Sequence, residues 1–379
     1  MKSSTRCRSR RAHERRGHST KNEHLAGLDK VHAELFAAAF KHAPRTEITL
    51  DQDATFIETK NADALYSYKK TKSYQALNLY CPEYDMMVAT DYRDGNVPPG
   101  MYQLEQLERA LDALPDGITK IKFRSDSAGY QADLLKFLNK RKIDFAVSCD
   151  VTREFRAAAA AVPESDWRPL NDYQEWAEVV YAPNSLSTSK NGGVFRFIAI
   201  RELFAKADPK DGGAKSRQRL LFDMIDMLES QNDNIKKLHL TDMYGNVYKV
   251  FGVVTNMEET DGAELIRWHR GRCGKSEEIH RILKDDLAGG HVISRRLGAN
   301  AFWWHCAVLA HSLCTLLKRL LPQFLRHCRP KTLRAIFFTT VGRIVHHARR
   351  VIIRVNDTPS GRLVVAAYER ARSMCASAG

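Results

Sequence analysis

Residues 46–150 carry the pattern that most limits the fold. The stretch 46–59 is rich in β-branched residues and alternates, with Asp51 and Asp53 on the opposite face from Leu50 and Gln52. Residues 74–81 and 84–92 read as two more strands, tightly joined through Pro82 and Glu83. Leu104, Leu107, Leu111 and Leu114 then recur at helical spacing. A short strand at 120–124, a turn at 125–129, a helix at 130–139 and a strand at 143–149 complete the run. The order β-β-β-α-β-α-β predicts an α/β fold: a mixed sheet of hairpin strands followed by crossover strands, flanked by helices.

Beyond Asp150 the pattern loosens. The stretch 151–262 holds an Ala-rich segment at 157–161, a strand at 194–200, a charged loop at 208–217 and a helix at 219–228. A β-hairpin at 235–240 and 247–255 follows, with its turn at 243–246. Helices are expected from about 262 to 355. A short helix at 31–42 precedes the first strand. The most apolar run, 301–317, includes Trp303 and Trp304 but also His305, His311 and Ser312. It falls short of the roughly 20 apolar residues of a membrane span and reads as a buried helix.

Charge is unevenly spread. The formal net charge is +14. Residues 1–22 contribute +7, and residues 287–356 carry twelve Lys/Arg and no acid. Residues 357–379 add +1, which leaves 23–286 at −6. Basic ends of this size point to a polyanion partner, most often nucleic acid. His346, His347, Arg349, Arg350 and Arg354 are expected on a C-terminal helix as a phosphate-binding face.

Several chemistries are unlikely on these residues. None of the eight cysteines forms a CxxC pair or sits near an HxxxH, which argues against zinc ribbons, zinc fingers and thioredoxin-like sites. Scattered cysteines without a secretory signal predict a cytoplasmic chain with reduced thiols. Gly289-Gly290 lacks a following Lys-Ser/Thr and is not a phosphate loop. Ser125 and Ser127 have no positioned histidine for a serine hydrolase.

Three acids stand out by position. Asp53 lies inside the first strand, Asp126 just past the fourth, and Glu277 at a helix start with Ser276 as its expected N-cap. Carboxylates converging from rigid elements suit a pair of Mg²⁺ ions about 4 Å apart, the arrangement of phosphodiester chemistry. On a regular helix Glu277, His280, Arg281 and Lys284 share one face, with Ile279, Ile282 and Leu283 turned towards a core. A carboxylate followed by cations suits a metal-bound phosphate backbone, though an intrahelical ion pair needs no such role.

The segments Thr49-Leu-Asp-Gln-Asp-Ala-Thr55, Arg93-Asp-Gly-Asn-Val97, Arg124-Ser-Asp-Ser127 and Arg272-Cys-Gly-Lys-Ser-Glu-Glu-Ile-His280 resemble the DDE transposases of bacterial insertion sequences. Leu287-Ala-Gly-Gly290 and Gly298-Ala-Asn-Ala-Phe-Trp-Trp304 match as well, so the resemblance spans about 46–355. The Cys-Gly-Lys-Ser-Glu-Glu string is specific to one branch.

That resemblance implies a ribonuclease H-like fold with an insertion domain at 151–262. The catalytic domain would then comprise 46–150 and 263–330, between a basic N-terminal segment (1–45) and a basic C-terminal helical region (331–379). It implies catalytic and metal-holding roles for Asp53, Asp126 and Glu277, with Mg²⁺ as cofactor and Mn²⁺ as a substitute. It also implies DNA as partner, self-association on DNA, no membrane, and a bacterial, nucleoid-associated location. Arg270, Arg272, Lys275, Arg281 and Lys284 are the expected DNA-binding residues.

The spacing Glu-x6-Lys is kept from Glu277 to Lys284. The wider family's Tyr-x2-Arg-x3-Glu is not: Cys273 stands in the Arg place, Arg272 is one residue out of register, and Arg270 takes the Tyr place. Arg272 is the first choice for holding the DNA end and Arg270 the second. Asp51 rivals Asp53 as first acid; Asp53 is preferred for the Ala54-Thr55 that follows it. The short N-terminal segment raises an alternative: a truncated, catalytically incompetent derivative that binds DNA or a partner and inhibits transposition. A non-mobile nuclease on the same fold is a third reading.

Overall fold

The computed structural model describes residues 23–187, 195–205, 239–241 and 247–376. The Arg-rich lead at 1–22, the loop at 208–217, the helix expected at 219–228 and the turn at 243–246 lie outside the described residues.

Helix α1 (Glu23–His42) leads into strand β1 (Glu47–Glu58). A two-residue strand, β2 (Leu65–Tyr66), precedes β3 (Lys72–Cys81) and β4 (Met86–Asp94). Helix α2 (Gln103–Asp112), β5 (Lys120–Ser125), α3 (Ala132–Lys140) and β6 (Asp144–Cys149) follow. Strand β3 pairs antiparallel with both β1 and β4, while β5 and β6 join the other edge of β1 in parallel. The expected order is realised: antiparallel strands first, then parallel strands reached through helical crossovers. A mixed sheet flanked by helices, with this sense change at β1, is the ribonuclease H-like fold.

The stretch 151–262 extends the same sheet. After α4 (Arg153–Ala160) come β7 (Arg168–Asn171), β8 (Gln174–Val179), β9 (Arg196–Ala205), β10 (His239–Thr241) and β11 (Val247–Thr255). Strand β11 pairs antiparallel with β6 and with β9, and the path continues through β8 to β7. The expected hairpin is present as the pair β10–β11.

The chain then returns to β1 through α5 (Gly262–Arg270), α6 (Lys275–Arg281) and the long α7 (Leu297–Leu320). Alternation along β1 decides what each layer receives. Ile48 and Leu50 enter the cluster built with Leu107, Leu134, Leu135 and Phe145. Ile57 enters the opposite cluster, with Ile279 and Leu283 beside Trp304 and Val308 of α7. Asp51 and Asp53 share parity with Ile57, so the acids face the α6–α7 layer.

Trp304 is fully buried and its indole N–H donates to Thr90 Oγ1 at 2.8 Å, which confirms this helix as core. No helix among the described residues is long and apolar enough to cross a membrane. Trp304→Phe keeps most of the packing and loses that hydrogen bond. It is expected to lower stability by about 1–2 kcal/mol, read by urea denaturation.

The C-terminal region departs from expectation. Residues 342–355 form an antiparallel pair, β12 (Gly342–His347) and β13 (Arg350–Val355), not a helix. Val345, Val351, Ile352, Ile353 and Val355 are β-branched or strand-favouring residues, and they outweigh the basic residues that suggest a solvated helix face. Helix α8 (Pro359–Ala376) closes the described chain.

Candidate active site

Asp53 and Asp126 come together at the β1–β5 seam. Ser125 is the parallel partner of Gln52, so the next residue on each strand puts the two acids at one level. Each carboxylate is steered by a local backbone group: Asp53 Oδ1 accepts from the Ala54 N–H at 2.8 Å and Asp126 Oδ1 from the Ala128 N–H at 3.0 Å. Asp126 thereby caps a short 3₁₀ turn, Ser127–Gly129.

Two further ties hold this end of β5. The Ser125 hydroxyl donates to the Gln52 carbonyl at 3.2 Å. The His269 ring sits 3.1 Å from the Ser125 carbonyl through Nε2. A carbonyl only accepts, so neutral His269 carries its proton on Nε2. Burial holds its pKa down at about 4, which keeps it neutral at ordinary pH.

Burial pushes the Asp53 carboxyl up to about 6; the Arg272 guanidinium opposes the rise, and the charge of Asp126 adds to it. Arg272 is buried, with Nη1 4.0 Å from Asp53 Oδ2, and its Nε has no hydrogen-bond partner among the described residues. Asp126 and Lys284 line a cavity of about 840 Å³, with Thr55, Glu58, Lys69 and His291 on its walls. Burial lowers the Lys284 pKa, with Asp285 opposing the shift and Lys69 adding to it.

An acid whose folded pKa lies above its unfolded value near 3.9 stabilises the fold fully below that value. The contribution is lost as pH rises through the folded pKa. For Asp53 the window is roughly pH 4 to 6, and the loss is about 2–3 kcal/mol. The metal-free protein is therefore expected to melt at a lower temperature at pH 7 than at pH 5. Divalent metal should offset that difference in a calorimetric scan.

Asp51 is committed to a buried cation. It is 2% exposed and takes both arms of Arg124, Nε to Oδ1 at 2.6 Å and Nη2 to Oδ2 at 2.8 Å. Arg124 also donates to the Trp268 carbonyl and lies over the Trp268 ring. This geometry favours Asp53 as the acid free to act.

The segment around Glu277 differs from a regular helix. Gly274, not Ser276, caps α6, with φ +77, a conformation that strains any other residue. Ser276 is buried within the first turn and Glu277 is exposed. Ile282–Asp286 is a π-helical turn, which shifts the register, so Lys284 reaches the cavity while Arg281 stays exposed. Ile279, Ile282 and Leu283 are buried, as expected.

Glu277, His280, Arg281 and Lys284 therefore do not present one common face. His280 is buried, and burial, with Lys284 and Arg272 nearby, drops its pKa to about 3. Among the described residues no three His, Cys, Asp or Glu side chains are grouped closely enough to hold a metal.

The remaining expected DNA contacts are dispersed. Arg270 is half-buried and donates to Gln174 Oε1 at 2.6 Å. Lys275 is exposed and lines a second cavity with Glu278. Lys69 and His291 entered the first cavity without notice from the sequence. Their only signals are a Lys pair in a turn and a His after Gly289-Gly290.

The family model for "Transposase DDE domain group 1" matches residues 3–191 and 238–375. The chain belongs to the DDE transposase family. No curated protein matches the chain. Among solved structures it is similar to one described as "Cryo-EM structure of piggyBac transposase synaptic complex with hairpin DNA". Identity there is 9% and the TM-score 0.37, over 72% of this chain and 47% of that one. The chain thus spans about half the length of that relative.

Members of the DDE family use divalent metal ions. The pair Asp53 and Asp126 fits such an ion: two carboxylates, one whose ionisation is opposed by burial and by its neighbour's charge, both of which a hard cation offsets.

Proposed function

We propose that this transposase cuts DNA at the ends of its element in a Mg²⁺-dependent reaction and joins the freed ends to target DNA by direct transesterification. The observation that supports this most is the Asp53–Asp126 pair, with Arg272 beside Asp53 and with Asp126 and Lys284 lining one cavity. Asp53, Asp126 and Glu277 are the proposed metal-holding acids. Mg²⁺, or Mn²⁺ in its place, supplies activation of the attacking oxygen and stabilisation of the leaving one.

The chain's own residues do the positioning. Arg272 sets its guanidinium beside Asp53, a position suited to a phosphate oxygen at the cut. Lys284, half-buried on the cavity wall, neutralises a neighbouring phosphate; Arg281, Lys275 and Arg270 serve the flanking backbone. The attacking water breaks one phosphodiester bond and leaves a 3′-OH. That hydroxyl then displaces a phosphodiester oxygen of the target, so one bond forms as one breaks.

Nicking of supercoiled DNA under Mg²⁺ tests the reading. Asp126→Asn and Glu277→Gln are each expected to abolish it, and nicking that survives either change removes that acid from the set. The exposed position of Glu277 favours one second reading, a catalytically incompetent derivative that binds DNA and dampens transposition. That reading gains support if DNA binds without nicking in Mg²⁺ and in Mn²⁺.

A further inference from the structure

The β12–β13 hairpin is not absorbed by the site above. Its fourteen residues, 342–355, hold four arginines, two histidines and no acid. Nearly all of them are exposed, and strand register sorts them onto two faces. One face carries Arg343 opposite Arg354 and His347 opposite Arg350, with Val345 opposite Ile352 between them. The other carries Ile344, Ile353 and Val351, each more than 60% exposed.

Two features of the basic face resist explanation by folding alone. Like charges directly opposite each other across a hairpin repel, and a two-stranded hairpin without a covering layer is marginal in water. The chain nevertheless sets Arg343 against Arg354 with no acid in the hairpin to relieve them. The turn shows the same choice. Ala348 and Arg349 both adopt positive φ, 46° and 62°, where Asn-Gly would be the relaxed solution. Arg349 thus places a further cation at the tip at the expense of backbone ease.

We propose that the β12–β13 ribbon is a second DNA-binding element, distinct from the cavity, whose basic face lies along a duplex groove and neutralises the flanking phosphates. A polyanion relieves the opposed Arg343 and Arg354, and the major groove, about 12 Å wide, admits a two-stranded ribbon. The proposal rests on the reading that this transposase acts on DNA. The surrounding stretch 287–356 has no acid to repel the duplex.

The test compares the full chain with the variant Arg343→Gln/Arg349→Gln/Arg350→Gln/Arg354→Gln. Duplex affinity is measured by fluorescence anisotropy across a salt series, with nicking recorded for both proteins. Each lost phosphate contact should remove roughly 0.9 from the log–log salt slope, so a fall of about three to four is expected, with affinity down at least about tenfold. Ala348→Asn/Arg349→Gly relaxes the turn while removing one charge. It should melt no lower than the parent and lose about one unit of slope.

Unchanged affinity and slope in a protein whose parent nicks DNA overturn the ribbon proposal alone. A parent that neither binds nor nicks DNA overturns it together with the transposition chemistry. Unchanged slope with a shift from dimer to monomer also overturns it, and assigns the ribbon to contact with a second copy.

Discussion

Asp53→Asn is expected to abolish strand cleavage while making the metal-free protein more stable at pH 7. The two effects have one cause. Burial and the neighbouring Asp126 oppose ionisation of Asp53, so its charge at pH 7 is a load on the fold. Asn removes that load and can still accept the Ala54 N–H, for a gain of roughly 1–3 kcal/mol. The same change removes a proposed ligand, for which a loss of at least about a thousandfold in cleavage rate is expected. Thermal melts at pH 5 and pH 7 read the first effect: the pH-dependent loss should shrink in the variant. Cleavage under Mg²⁺ reads the second. A variant that melts no higher at pH 7 contradicts the account of Asp53 as a strained carboxylate.

Arg124→Ala is expected to have the opposite profile, with a large loss of stability of about 3–5 kcal/mol. Arg124 and Asp51 are both nearly inaccessible and form a two-pronged pair. Removing the guanidinium leaves a carboxylate buried without a partner, the costly half of a broken buried pair. Asp51→Asn/Arg124→Met removes both charges together and should recover most of the loss in a urea titration. Asp51→Asn alone should lower stability yet keep cleavage within about tenfold of the parent, because Asp51 already serves Arg124. Loss of cleavage comparable with that of Asp53→Asn would reverse the assignment of the first acid.

Much of the sheet was legible because its strands alternate. Ile48 and Leu50 against Asp51 and Asp53 gave β1 its two faces, and the structure keeps them. Trp304 was legible as core because it sits within a long apolar helix interrupted by residues that a membrane would exclude. The ribbon was hidden for a physical reason: Ala348-Arg349 carries none of the usual turn chemistry, so nothing in the sequence separates β12 from β13.

The helix with Glu277 was misread through its geometry. A count of i, i+3, i+4, i+7 assumes one uninterrupted helix. A π turn over Ile282–Asp286 breaks that assumption between Arg281 and Lys284. Arg124 and Asp51 were individually visible, but their pairing depends on strands that lie 73 residues apart in sequence.

The central claim is that the Asp53–Asp126 pair cuts DNA at the ends of a mobile element. The most direct measurement incubates the full chain, in Mg²⁺, with linear DNA that includes its gene and any inverted repeats beside it, and maps the strand termini. The account expects new 3′-OH ends at the repeat boundaries, absent without metal and absent with Asp126→Asn. Bound DNA with both strands intact, in Mg²⁺ and in Mn²⁺, would contradict it.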